Sequence, residues 1–203
     1  MGGAGQRRRV ALTFDMEHPS RSDQREDAPS RLLDVLRRGH TRATFFIQGR
    51  WARSHPDVAR RVRTDGHLIG SHSHFHAPLP YLTDEGIHAD LESAAAALEE
   101  VTGVDPRPWF RCPFGAGHDD DRVLAAVAAT GHRDVHWDVD PQDWQEGRTV
   151  DEVVDTVVAG VRRVGDGAIV LMHSWPDVTV ATLPQVIDGL RAAGAELVRV
   201  DGL

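Results

Sequence analysis

Arg9–Glu17 reads RVALTFDME, a near-continuous apolar run that stops at a carboxylate. A strand with one wet face alternates apolar and polar residues. A run without that alternation belongs to a strand covered on both faces, as in a parallel sheet clothed by helices. Ala168–Met172 (AIVLM) has the same character and stops at His173. Ala43–Ile47 (ATFFI), His67–Gly70 (HLIG), Pro108–Arg111, Val135–Val139 and Glu196–Val200 (ELVRV) complete seven predicted strands, the first being Arg9–Phe14. Between them the spacing predicts helices over Ser30–Arg38, Pro56–Thr64, Thr83–Val101, Asp119–Ala129, Val150–Val161 and Leu183–Ala193. Thr83 supplies an N-cap to the longest. Regular alternation of strand and helix predicts an α/β fold, either an open doubly wound sheet or a closed or partly closed barrel. No repeat or linker interrupts residues 1–203, so one domain is expected.

Composition narrows the function. The 203 residues carry a formal charge of −8, which argues against nucleic-acid binding, because neutralising phosphates takes clustered cations. The one basic run, Arg7-Arg8-Arg9, reads as a solvated terminus. No stretch is long enough to span a bilayer, and no apolar leader segment precedes the first strand. The expectation is a cytoplasmic protein, or one whose leader has been trimmed. The single cysteine, Cys112, excludes an internal disulfide and a cysteine metal cluster. Nothing points to a specific protein partner.

The polar residues gather at one end of the sheet. Asp15, His72, Arg111, the acids from Asp138 to Asp143 and His173 all fall at or just after strand C-termini, the end that carries active sites in parallel α/β folds. His72-Ser-His-Phe-His76 places two imidazoles four residues apart. On a helical turn that spacing would put both on one face, within reach of one cation, with His74 pointing elsewhere. Asp15 is a candidate general base or ligand, and Glu17, two residues on, can aim at the same place. Arg111, in a loop stiffened by Pro113 and sharpened by Gly115, can orient a carboxylate such as Asp15. One aspartate of Asp138–Asp143 can pair with a histidine and ready it as a general acid. Trp175, beside His173, can form an apolar wall.

These motifs, in this order, resemble the polysaccharide deacetylase family, also called the NodB homology family or carbohydrate esterase family four. Leu12-Thr13-Phe14-Asp15 is similar to its first motif and His72-Ser73-x-x-His76 to its metal-binding second. Arg111-x-Pro113-Phe114-Gly115 is similar to the third, Asp138–Trp144 (DVDPQDW) to the fourth and Leu171-x-His173 to the fifth. The resemblance covers nearly the whole chain. It implies a distorted, incomplete (β/α)7 barrel that removes N-acetyl groups from an amino sugar, a polysaccharide or a related small molecule, releasing acetate. Asp15 would be the general base and His173 the general acid. Arg111 would tether Asp15, and Asp143 would tune His173. Leu171 and Trp144 would line the acyl pocket, and the Phe114 backbone N–H would serve the oxyanion.

The first motif departs from the usual pattern. Where the family has two adjacent aspartates, the second a metal ligand, this chain has Met16, whose thioether suits a hard or borderline cation poorly. Asp15-Met16-Glu17 resembles instead the Asp-x-Asp or Asp-x-Glu of intracellular peptidoglycan deacetylases and allantoinase-like members. Residues two apart on a strand share a side. Glu17 is therefore the expected third ligand beside His72 and His76, for a divalent metal that is zinc by default, with cobalt, nickel or manganese as alternatives. The allantoinase-like branch is described as metal-free, so a metal-independent hydrolase of cyclic ureides or imides is the second expectation.

Overall fold

The computed structural model describes residues 8–19 and 25–203. Arg7 of the basic run lies outside them, while Arg8 is exposed and Arg9 partly buried. β1 (Arg8–Met16) is the spine of the sheet. Its period of two splits its side chains between two dry surfaces. Val10, Leu12, Phe14 and Met16 enter the main core, together with residues of α1 (Ala28–Arg38), α6 (Val150–Val164) and α7 (Asp177–Ala192). Ala11 turns the other way and joins Phe46, Val135 and Val200 inside the curl of the sheet. Thr13 also lies on that inner side, and its hydroxyl donates to the Val170 carbonyl at 2.7 Å. Burial on both faces explains why the strand reads as apolar nearly throughout.

The other strands are β2 (Thr44–Ile47), β3 (Leu68–Ser71), β4 (Trp109–Phe110), β5 (Arg133–Asp134), β6 (Ala168–His173) and β7 (Ala195–Val198). All pairings are parallel, in the order β5-β4-β3-β2-β1-β6. β6 runs along one edge of β1, from Val10 to Asp15. β2 and β7 divide the other edge, β2 beside Thr13–Met16 and β7 beside Arg8–Ala11. Between β5 and β6 there is no ladder. A single bridge, Val139 to Val170, spans the seam among the described residues, and there the Leu171 N–H donates to the Val139 carbonyl at 2.9 Å. The result is a distorted, incomplete (β/α) barrel.

Local sequence explains most helix boundaries. Thr83 caps α4 (Asp84–Thr102) by accepting from the Gly86 N–H, and Gly103 ends it in the left-handed conformation. Thr149 and Glu152 form a reciprocal capping box on α6. α3 (Pro56–Thr64) and α5 (Asp121–Ala129) fall where their apolar spacing predicts.

Most other boundaries shift by one to three residues, and three elements differ more. The strand expected over Val135–Val139 is only Arg133–Asp134, because the following segment leaves the ladder: His136 stacks on Trp137, and pairing resumes at Val139 alone. α7 starts at Asp177, six residues before the expected Leu183. Pro184 lies inside the helix. α2 (Gly49–Ser54) had no periodic signal because it is six residues long. No helix among the described residues is long and apolar enough to cross a membrane.

Candidate active site

A cavity of 320 Å³ opens at the C-terminal ends of β1, β3 and β6. Nine of the eleven predicted site residues line it: Asp15, Glu17, His72, His76, Phe114, Trp144, Leu171, His173 and Trp175. The other two, Arg111 and Asp143, stand directly behind it.

β1 delivers Asp15 and Glu17 to the cavity and Met16 to the core, where Met16 is fully buried. Arg111 follows β4 and is also fully buried. Its Nη1 donates to Asp15 Oδ1 at 2.9 Å, and its Nε to the Val135 carbonyl at 2.9 Å. Its guanidinium lies 4.2 Å from the centre of the Phe46 ring. A buried cation is tolerated here because a carboxylate, a carbonyl and an aromatic face surround it.

His72 and His76 do converge, though not on a helix. Residues 72–76 form a loop in which Ser73 and His76 adopt positive φ, 61° in each case. Two buried contacts hold that strained shape. The Ser73 hydroxyl accepts the His76 N–H at 2.8 Å, and Asp90 of α4 accepts the N–H groups of His74 and Phe75 at 2.9 and 3.0 Å. His74 points away, against Gly49, where an added Cβ would lie 2.5 Å from its Nδ1. The Nε2 atoms of His72 and His76 face each other at 3.1 Å. His72 Nδ1 lies 3.0 Å from the Arg111 carbonyl, which fixes the tautomer and turns the Nε2 lone pair toward the cavity.

Glu17 completes the cluster. Its Oε2 lies 3.4 Å from His72 Nε2 and beside His76 Nε2, yet makes no well-directed hydrogen bond although it is buried. One ligand atom from each of the three residues falls within 4.8 Å of the others. Burial would raise the Glu17 carboxyl, but the two imidazoles outweigh it and hold the group well below the usual carboxylate range. His72 is displaced upward: burial opposes its charge, and Asp15 and Glu17 more than compensate. An orphaned carboxylate oxygen and two opposed imidazole nitrogens are a donor set that fits a divalent cation of borderline softness.

His173 stands at the end of β6. Its Nδ1 lies 2.8 Å from Asp143 Oδ1. Burial alone would favour the neutral ring, but the Asp143 carboxylate overrides it and pushes the pKa up to about 9. His173 is therefore a cation at neutral pH, with a proton to give. Phe114, at φ 59°, and Trp144 remain substantially exposed at the rim, while Leu171 and Trp175 are buried.

Sequence reasoning missed three contributors. Thr179 of α7 donates its hydroxyl to Asp143 Oδ2, a partnership across 36 positions with no spacing rule behind it. Trp137 lines the cavity and stacks on His136, which stacks in turn on His118. Asp90 did leave a sign: it interrupts the apolar stripe of Ile87, Leu91 and Ala94 on α4.

Residues 2–135 match the family model described as polysaccharide deacetylase. The chain is 31% identical to a chitooligosaccharide deacetylase of Azorhizobium caulinodans, over 93% of this chain and 90% of that protein. It is 34% identical to the peptidoglycan-N-acetylglucosamine deacetylase PgdA of Listeria monocytogenes, over 97% of this chain but 39% of that longer protein. Among solved structures, a family 4 carbohydrate esterase from Streptomyces lividans in complex with acetate matches with a TM-score of 0.80 and 30% identity, covering 95% of this chain and 91% of that one.

Proposed function

The chain belongs to the polysaccharide deacetylase family, and from that premise we propose that it is a metal-dependent N-deacetylase of an amino sugar or an N-acetylated polysaccharide. The observation that carries the reading is one cavity holding a three-residue ligand cluster between a tethered carboxylate, Asp15, and a cationic histidine, His173. The similarity to chitooligosaccharide and peptidoglycan-N-acetylglucosamine deacetylases supports the substrate class. The reading takes residues 1–203 as one catalytic domain, supported by the single sheet to which every named strand belongs.

Glu17, His72 and His76 would hold the metal, zinc by default. When bound, a divalent ion supplies Lewis acidity, polarising the acyl carbonyl and making water more acidic. Asp15 accepts the proton of the attacking water. Arg111 occupies Asp15 Oδ1, which leaves Oδ2 for that task. The water oxygen bonds to the acyl carbon. The Phe114 backbone N–H donates to the oxygen that gains charge. Leu171, Trp144 and Trp175 enclose the acetyl methyl. As the carbon–nitrogen bond breaks, His173 Nε2 gives its proton to the leaving nitrogen while Nδ1 stays on Asp143. Acetate and a free amine result.

The alternative, a metal-free hydrolase of cyclic ureides, was motivated by Met16. That side chain lies in the core and does not enter the cavity, so its chemistry says nothing about the ligand set. The test is to purify the protein, measure its metal content, and assay acetate release from chitin oligomers and from peptidoglycan. His72→Ala is expected to lose both metal and hydrolysis. Retention of both would sink the reading, and activity that persists after exhaustive chelation would favour the metal-free alternative.

A further inference from the structure

The two oxygens of Glu17 have different surroundings. Oε2 faces His72 and His76 and has no well-directed donor. Oε1 accepts the indole N–H of Trp175 at 3.4 Å. Trp175 is 3% exposed, and its ring lies 5.8 Å from that of His173. The turn that carries it is tied to β1 beside Glu17, because the Ser174 N–H donates to the Asp15 carbonyl at 3.0 Å. Trp175 also stands, with Glu17, between two cavities: the 320 Å³ pocket and a neighbouring one of 310 Å³ reached by His18 and His55.

A glutamate has one more rotatable bond than an aspartate, and Glu17 lies just past the last residue of β1. The strand ladder therefore does not fix its carboxylate. A rigid donor on the far oxygen does. We propose that Trp175 is the positioning residue of Glu17: its indole N–H selects the carboxylate rotamer that presents Oε2 between the two histidines. The assignment rests on the metal reading above and adds to it how a longer ligand, displaced by one residue, is held in place. Trp175 thereby serves as more than an apolar wall. It orients a ligand from behind, as the donors and acceptors around metal ligands commonly do.

Trp175→Phe keeps an aromatic side chain but removes the pyrrole ring and its N–H. Zinc affinity, measured by competition with a chromophoric chelator, is expected to weaken about 10- to 100-fold. The thermal midpoint of the zinc-free protein should fall only by what the smaller ring costs the interior. In a Glu17→Ala background, where no acceptor is left for the indole N–H, the same substitution should cost no further affinity, because the pair acts as a unit. Unchanged zinc affinity with a raised KM for chitin oligomers would show a substrate wall only and overturn the assignment. So would an undiminished loss in the Glu17→Ala background. If the phenylalanine variant does not fold, β-(3-benzothienyl)alanine at position 175 carries the same test, since it keeps the bicyclic shape and lacks the N–H. A wild-type protein that takes up no zinc would overturn the metal reading itself, whereas wild-type uptake with unaltered affinity in the variant would overturn only the role of Trp175.

Discussion

Asp143 grips His173 twice: Oδ1 meets the ring Nδ1 and Oδ2 accepts the backbone N–H, each at 2.8 Å. One carboxylate thus sets both the charge of the ring and the place of its backbone. The charge has a direct consequence for pH dependence. In the proposed mechanism His173 must be protonated to act as the acid, and Asp143 pushes its pKa up to about 9. Activity should therefore fall as pH rises through about 9. In Asp143→Asn the largest upward push is gone, only the more distant Asp15 and Glu17 still oppose burial, and the alkaline limb should move down from about 9 toward the ordinary value of 6.5. At neutral pH the loss in kcat should approach the full value of the acid, about 10²- to 10⁴-fold. A kcat–pH profile of both proteins checks this.

The same pair contributes to stability with a defined sign. The folded-state pKa lies above the ordinary value of 6.5, so the contribution is fully present below about pH 6.5 and disappears as pH climbs through about 9. Its size is on the order of 3 kcal/mol. Thermal melts from pH 6 to about pH 10 should show this loss in the wild type and not in Asp143→Asn.

Arg111→Ala would leave the Asp15 carboxylate buried beside an empty space. Removing one partner of a buried ion pair costs about 3–5 kcal/mol. The variant should lose a large part of its stability as well as its activity. Arg111→Lys keeps the charge but cannot bond Asp15 and the Val135 carbonyl together in the same fork. It should fold, with kcat lowered more than zinc affinity. Denaturant titration, turnover and zinc competition separate the two variants.

Met16→Leu should leave zinc affinity unchanged and cost less than about 1.5 kcal/mol, because it is a volume-conserving change in the core. Met16→Asp would create the family's adjacent aspartates on paper. In this fold it would bury a carboxylate among Leu12, Phe14 and the helices, and should destabilise the protein without strengthening metal binding. Unfolding curves and zinc competition distinguish these outcomes.

Asp90→Ala removes the acceptor for the His74 and Phe75 N–H groups in a loop whose Ser73 and His76 are strained. Leaving buried donors unpaired costs about 1–3 kcal/mol. Zinc affinity should fall although residue 90 touches no ligand side chain. A normal affinity in a folded variant would show that the loop keeps its shape without the clamp.

Much of this site was legible because strand ends are easy to read. Asp15, Arg111 and His173 each follow an apolar run, and the period of a strand separates Asp15 and Glu17 from Met16 without any knowledge of the fold. The His72–His76 pair was legible as a pair but not as a shape. Four-residue spacing suggests a helical turn, whereas the loop reaches the same convergence through two left-handed residues that only tertiary contacts sustain. Thr179 and Trp137 were not legible, since nothing local marks a side chain that will meet Asp143 or stack on His136. The short β5 illustrates the same limit: Val135–Val139 has strand composition, but ring stacking at Trp137 takes it out of the ladder.

The seam between β5 and β6 has a mechanical consequence. Beside the one backbone bridge there, two side-chain contacts fasten it: Asp138 accepts the Ile169 N–H, and Asp143 holds His173, backed by the Thr179 hydroxyl. In the proposed mechanism the proton that His173 gives to the leaving amine also adds charge to this latch. Once it has been given away, the ring contributes no charge to the clasp, and the His173 backbone N–H and the Thr179 hydroxyl are what still hold Asp143 across the seam.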